Sequence, residues 1–320
     1  MRLAFLALAA AIAGCAAPEC NPIRVASYNI RLDNPRVAEK DGPNAWVHRK
    51  EALVDLVRRM DLDAFGLQEV TPSQAAYLRE KLPEFVFVGE HRGADRVSDE
   101  ASPVAYRKSR FAAEKSGTFW LSETPDVPGR KGWGAACPRV CSYLVLRDLP
   151  TGRRFCFANT HTDHVSALAR EKGMLLVIER MRDFGAGAPI VFTGDHNCRE
   201  TEAPAAAVSK ILKNALYVSQ TPPSGSWRTF SGWKWRDREF SATDALKLPP
   251  SVRNARKGSP DADKDRNGGH VWEDCGARID YIYVSDGVKV LDYATVNDAR
   301  PDAKLYPSDH FPVTATIVLE

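Results

Sequence analysis

The sequence predicts one α/β domain built on two sheets or on one large sheet. Three observations carry that prediction. Strand-like and helix-like stretches are mixed along the chain from residue 23 onward. Hydrophobic residues make up 44% of the 320, enough to bury a sizeable core. No internal repeat or low-complexity linker divides the chain, and its net charge is only +3.

The first residues stand apart from the domain. Arg2 and the apolar run at 3–12 match an export signal, too short to span a bilayer. Ile12-Ala13-Gly14-Cys15 resembles a bacterial lipobox, in which cleavage precedes a cysteine that is then acylated. The expectation is a lipoprotein signal peptide over 1–14 and a lipidated tether over 15–22 headed by Cys15. A domain over 23–320 follows, with a polar insertion at about 250–276. An ordinary signal peptide with a chance cysteine is the plainer alternative. Ala16 after the cysteine fits outer-membrane sorting, so the chain is expected on the cell envelope, facing the periplasm or the surface, held by its acyl chains. Export puts Cys20, Cys137, Cys141, Cys156, Cys198 and Cys275 in an oxidising compartment. Six thiols allow 15 pairings. Cys198 with Cys275 is the one bridge suggested, because the two flank motifs described below. Cys156 sits in an apolar strand and reads as buried and free.

Taken in order, residues 23–30 read as a strand ending in Ser27-Tyr28-Asn29, and the polar stretch 33–44, with two prolines, reads as a loop. Val47, Leu53, Leu56, Val57 and Met60 recur at helical period over 46–60. A short strand at 64–67 ends in Gln68-Glu69. Thr71 and Pro72 supply the cap and first position of a helix to residue 82. Residues 85–88 and 104–107 are short strands, and 116–134 reads as an aromatic loop. The strands at 142–147 and 154–160 flank Pro150-Thr151-Gly152 as a hairpin. A helix over 167–184 shows Leu168, Leu175, Ile178 and Met181 on one face. Then comes the apolar run Ile190-Val191-Phe192, closed by Thr193-Gly194-Asp195-His196-Asn197. A helix at 203–212, a polar stretch at 220–276 and strands at 277–284, 288–296 and 313–319 complete the chain, with a loop at 301–312.

The polar side chains at strand ends carry the chemistry. They are Asn29, Glu69, Asn159, His161, Asp195, Asn197 and Asp280, joined by the Ser308-Asp309-His310 turn before the last strand. Strand ends of an α/β domain converge on one rim, where ligands sit. Each residue alone has a plain reading as a turn former, cap or satisfied core histidine. Together they read as one site. In extended chain Asp195 and Asn197 would point to the same side, and Gly194 would let the backbone bend or approach a ligand. Asp280 shares a strand face with Ile282 and Val284, where a carboxylate is costly unless paired; His310 is the obvious partner.

The motifs Ser27-Tyr28-Asn29, Leu67-Gln68-Glu69-Val70, Asn159-Thr160-His161, Gly194-Asp195-His196-Asn197, Arg278-Ile279-Asp280-Tyr281 and Ser308-Asp309-His310 resemble, in order, those of the endonuclease/exonuclease/phosphatase superfamily. That group includes type I deoxyribonuclease, abasic-site endonucleases, inositol polyphosphate 5-phosphatases and bacterial sphingomyelinases. The resemblance implies a four-layered α/β sandwich with two facing mixed sheets. It implies a divalent metal, Mg²⁺ or Mn²⁺, held mainly by Glu69 with Asn29 nearby and Asp309 in support. It also implies that Asp195 activates the attacking water, that Asn197 orients it, and that His310 paired with Asp280 polarises a phosphate oxygen. His161 would stabilise the transition state or assist the leaving group. Asn159 would lie on the substrate side. One departure is His196, where the family usually has an apolar residue. Apart from the resemblance, Arg139, between Cys137 and Cys141, reads either as a group that reaches substrate phosphate on that side or as a surface or packing arginine.

Phe119-Trp120-Leu121-Ser122-Glu123-Thr124-Pro125 and Gly132-Trp133-Gly134 resemble segments of an exported bacterial branch. Trp227, Phe230, Trp233 and Trp235 read either as a stacking surface or, more simply, as packing for a long loop. Asp261-Ala262-Asp263-Lys264-Asp265 resembles the opening of a calcium loop, but Arg266 and Trp272 replace its Gly and Glu; a structural Ca²⁺ is the lesser reading. The function expected is an exported, monomeric, metal-dependent phosphoesterase acting on a phosphodiester or phosphomonoester by in-line attack of water. A secreted nuclease is the alternative. It is less favoured because no Lys/Arg run supports tight nucleic-acid binding. A non-catalytic binding module is the second alternative.

Overall fold

The computed structural model describes residues 21–233, 278–297 and 306–320. The leader with Cys15, the insertion with its calcium-like run, Trp235 and Cys275 lie outside the described residues.

Strand β1 (Ile23–Asn29) is buried except at Arg24. Helix α1 (Pro35–Asp41) follows, where the sequence reads as loop. It buries no apolar face; a cap makes it, with the Val37 amide donating to the Asn34 side chain and a proline opening its first turn. Helix α2 (Trp46–Arg59), strand β2 (Ala64–Gln68) and helix α3 (Pro72–Lys81) lie where their periodicity puts them. Strands β3 (Phe85–Val88) and β4 (Val104–Arg107) are short. Strand β5 (Phe111–Trp120) runs into the stretch expected to be loop. It pairs only with its successor at a sheet edge, and its solvent-facing middle, 113–116, carries no hydrophobic alternation. The predicted hairpin is β6 (Val140–Asp148) and β7 (Arg154–His161). Helix α4 (Ala167–Gly185) is capped by Ser166, and β8 (Ile190–Asp195) is buried throughout. Then follow α5 (Ala203–Ser209), β9 (Lys213–Asn214), α6 (Ala215–Val218), β10 (Ser224–Gly225), β11 (Asp280–Val284), β12 (Val288–Thr295) and β13 (Val313–Leu319).

Two mixed sheets face each other. One runs β10-β12-β13-β1-β2-β4-β3, the other β5-β6-β7-β8-β11-β9. Val25, Leu144, Phe157, Val191, Ile282 and Val313 fill the space between them. Outside the second sheet, Met174, Val177, Ile178 and Met181 of α4 form another core. Outside the first, Leu53, Leu56 and Val57 of α2 and Leu78 of α3 form a third. Each such side chain stabilises by about 1.5–3 kcal/mol when fully buried. The result is the four-layered sandwich expected.

Strand direction explains why one rim collects the polar ends. β1 and β2 are parallel, with Asn29 beside Gln68. β7 and β8 are parallel, with His161 beside Asp195. β11 runs antiparallel to β8, which sets Asp280 opposite Asp195. β13 runs antiparallel to β1, so its leading turn reaches the same rim.

The suggested disulfide does not form. Cys137, Cys141, Cys156 and Cys198 are free, and the last three are buried. Cys198 lies in the apolar layer under α4 and α5, where burial pushes its thiol up to about 12. No helix among the described residues is long and apolar enough to cross a membrane.

Candidate active site

Asp195 is the focus of the rim. Its Oδ2 accepts from Asn29 Nδ2 at 2.9 Å, and lies 3.5 Å from His161 Nε2 and 3.8 Å from His310 Nε2. Its Oδ1 accepts from the Asn197 amide at 3.0 Å. Burial, then the charge of Asp280, lifts this carboxyl to about 7, against His310 and the bonds from Asn29 and Asn197. A carboxylate poised near neutrality is suited to taking a proton from water.

Asn197 reaches Asp195 by a route other than strand alternation. β8 ends at Asp195, and Asn197 stands in the left-handed region at φ 45°. Its side-chain amide donates to His161 Nε2 at 2.9 Å and to Thr162 O at 3.0 Å. Burial, then the fields of Arg139 and Arg92, holds the His161 pKa well below its usual value, so this imidazole is neutral and accepts at Nε2. Gly194 is an ordinary strand residue. A Cβ there would lie 2.4 Å from Thr160 O and 2.9 Å from the His196 ring, so the glycine makes room for the protein rather than for a ligand.

His310 Nδ1 donates to Asp280 Oδ2 at 2.9 Å. Burial opposes charge on this ring, but Asp280, then Asp195 and Asp309, overcome it and raise the pKa to about 10. The fully buried Asp280 thus has the partner its position demands, and a charged imidazole stands beside Asp195. Thr229 Oγ1 accepts from the Asp280 amide at 3.0 Å and holds the start of β11.

Glu69 sits one residue past β2 in the left-handed region, at φ 63°, a conformation that costs energy for a residue other than glycine. Its Oε1 accepts from Asn29 at 3.0 Å and its Oε2 from the Leu32 amide at 2.9 Å. Asp309 is also buried; burial and then the nearby Glu69 raise its carboxyl, against His310. Carboxylate oxygens crowded around an amide are the donor set of a hard divalent cation, and the residues fit one. Asp195, Asp280 and His310 also bring ligand atoms within 4.8 Å of one another. There the imidazole is charged and committed to Asp280, which leaves Glu69, Asn29 and Asp309 as the candidate cation side.

Of the two residues expected on the substrate side, Asn159 lies elsewhere. Asn159 is fully buried between the sheets. Its amide donates to Leu67 O and Pro103 O, and its carbonyl accepts from Gln68 and Thr193. Gly66 leaves it space, since a Cβ there would lie 2.3 Å from Asn159 Cγ. Arg139 is buried beside the turn after His161, with Nη2 3.0 Å from His164 Nδ1 and Nε 3.8 Å from Asp163. It acts on His161 through its field.

His196 is no ligand. Its ring is fully buried among Phe192, Tyr281 and Tyr283, on the side of the sheet that faces α4. Trp227 packs in the inter-sheet core against Arg278, and Trp233 lies against Arg49, as the packing reading expects. Phe230 differs: it is partly exposed, with its ring 4.9 Å from that of His310.

Sequence reasoning missed Arg31 and Glu100. Arg31 pairs with Asp41 at 3.0 Å and lies 3.8 Å from Asp309, so it steadies the cation side. Glu100 pairs with Arg92 at 2.8 Å; burial lifts its carboxyl to about 7. Both lie in polar loops where only the fold shows which charge meets which.

The same fold recurs in solved proteins. An endonuclease/exonuclease/phosphatase from Bacteroides vulgatus is 31% identical, with a TM-score of 0.76, over 94% of this chain and 100% of that one. The mannosyl-6-phosphatase of Bacteroides thetaiotaomicron is also 31% identical, with a TM-score of 0.74, over 93% and 100% of the two chains. An uncharacterised protein of Acanthamoeba polyphaga mimivirus, R895, is 24% identical over an alignment of 205 positions that covers 54% of this chain but only 30% of that longer protein. The sequence profile of the Endonuclease/Exonuclease/phosphatase family matches residues 26–310, within which every rim residue described above falls. The chain therefore belongs to the endonuclease/exonuclease/phosphatase family, whose members hydrolyse phosphate esters as phosphatases, phosphodiesterases and nucleases.

Proposed function

We propose that this protein is a metal-dependent phosphoesterase and that a sugar phosphomonoester is its favoured substrate class. The observation that carries the chemistry is the convergence of Asn29, His161 and His310 on one oxygen of Asp195, whose carboxyl sits near neutrality. Asp195 takes the proton from a water that attacks phosphorus in line, and Asn197 orients that water. His310, held charged by Asp280, donates to a phosphate oxygen as negative charge builds. His161, neutral, keeps Asn197 in place and faces the leaving group. Glu69, Asn29 and Asp309 would hold Mg²⁺ or Mn²⁺, which supplies charge neutralisation at the phosphate.

Likeness to a mannosyl-6-phosphatase at 31% identity supports the substrate class. Phe230 beside His310 offers an apolar wall for a leaving group. The small net charge, without a basic run, disfavours nucleic acid. The leader sequence supports export and anchoring through Cys15. The test is a metal-dependent panel of sugar phosphates, p-nitrophenyl phosphate, bis-p-nitrophenyl phosphate, sphingomyelin, inositol phosphates and plasmid DNA. Turnover is expected first on sugar phosphates. Preference for plasmid DNA would favour a nuclease, and silence throughout a binding module.

A further inference from the structure

Arg49 lies in the first turns of α2, far from Asp195 in sequence, yet the residue is 2% exposed and its guanidinium bonds main chain next to the rim residues. It makes four hydrogen bonds, all to main-chain carbonyls. Nη1 donates to Ile30 O at 2.5 Å and Pro307 O at 3.1 Å, Nη2 to Arg31 O at 2.6 Å, and Nε to Asn44 O at 2.9 Å. No carboxylate of the described residues pairs with it. Trp46 and Trp233 lie against its carbon at 5.1 and 5.6 Å. A buried charge that no carboxylate of the described residues bonds directly is expensive, and an apolar residue would serve packing alone at lower cost.

One of these carbonyls, Asn44 O, belongs to the turn just before α2; the other three belong to two segments of the rim. Ile30 and Arg31 directly follow Asn29, and the Leu32 amide donates to Glu69. Pro307 directly precedes Ser308-Asp309-His310. Arg31 is left-handed, at φ 58°, and its carbonyl takes a second bond from Gln74. The planar fork of one guanidinium spans both segments, which a lysine ammonium cannot match. Among the described residues two other side-chain ties join them at the rim: Ser308 Oγ donates to Asn29 O at 2.7 Å, and Arg31 lies 3.8 Å from Asp309.

We propose that Arg49 is a positioning residue that fixes the cation-side segment after β1 against the phosphate-side turn before β13. The inference rests on the phosphoesterase reading and extends it to a residue that touches neither substrate nor metal. Its charge also faces Asp309 and Asp41, the carboxylates of the same corner.

The experiment compares wild-type protein with Arg49→Lys, stripped of metal. Mn²⁺ binding is read by electron paramagnetic resonance, folding by thermal melting, and kcat and KM on p-nitrophenyl phosphate. Arg49→Lys is expected to melt cooperatively. Its Mn²⁺ affinity should fall about tenfold or more, as when outer-shell partners of a metal site are removed. Its kcat should fall while KM moves less, and guanidinium at millimolar concentration should partly restore kcat to Arg49→Ala. Wild-type Mn²⁺ affinity and kcat in a folded Arg49→Lys would overturn the proposal. So would an Arg49→Lys that does not fold, because the role would then be fold-wide. Wild-type protein that binds no Mn²⁺ and keeps its turnover under chelation would overturn the metal-dependent part of the phosphoesterase reading instead, and wild-type protein without turnover on any phosphate ester would overturn that reading whole.

Discussion

Replacing His196 by phenylalanine separates acid stability from catalysis. The His196 ring is fully buried, and neither nitrogen has a hydrogen-bond partner among the described residues. Burial depresses its pKa from 6.5 to about 3. The unfolded chain therefore binds a proton between those values that the native state refuses. Stability must fall as pH drops through this window and be unaffected by this residue above it. At about 1.4 kcal/mol per pH unit, the loss at pH 5 is about 2 kcal/mol. His196→Phe removes that term. With a urea slope of about 3 kcal/mol per molar, the midpoint difference between variant and wild type should be about 0.7 M larger at pH 5 than at pH 8. Any packing offset from the larger ring is the same at both pH values and cancels. Tryptophan fluorescence in urea at the two pH values measures it. Turnover at pH 8 should stay within about twofold, because the ring lies on the helix side of the sheet, away from the rim. A midpoint difference that does not change with pH would refute the reasoning.

Three further outcomes are expected. Asp280→Asn should cost about 3–5 kcal/mol at pH 6, because it strands a buried charged His310. The His310 pKa is raised from 6.5 to about 10, so the pair's contribution is complete below 6.5 and lost as pH rises through about 10; the urea midpoints of variant and wild type, well apart at pH 6, should converge towards pH 10. Asn159→Ala should destabilise by about 3 kcal/mol through the bonds it leaves unmade, with KM within about twofold of wild type; a large KM change in a stable variant would return Asn159 to the substrate side. Cys15→Ala should move the exported protein from the membrane fraction to the soluble one, and unchanged membrane association would remove the lipid anchor.

Much of the fold was legible where an element buries one face. β8, β13 and α4 announce themselves by an apolar run, by alternation and by helical period because a core lies against them. Helix α1 and strand β5 escaped because neither owes its existence to a continuous apolar pattern: a cap makes the first, and an edge pairing the second. In the site, Asp280 could be read with its partner because a carboxylate on an apolar strand face requires one. Asn159 misled because it sits two residues before His161 and has the chemistry of the rim residues, but it is bonded to the other sheet in the space between the two. Arg49 was invisible because an arginine on an amphipathic helix reads as surface cover. Its partners are carbonyls, one of them 258 residues away, and carbonyls leave no mark in a sequence.

Asp195 tests the whole reading most directly. Phosphate release should be followed with Mg²⁺, after chelation and after Mg²⁺ is restored, for wild type and for Asp195→Asn. Wild-type turnover should vanish on chelation and return with Mg²⁺. Asp195→Asn should melt as a folded protein yet turn over about a thousandfold or more slowly under every condition. Near wild-type release by Asp195→Asn, or release that survives thorough chelation, would contradict a metal-dependent attack organised by that carboxylate.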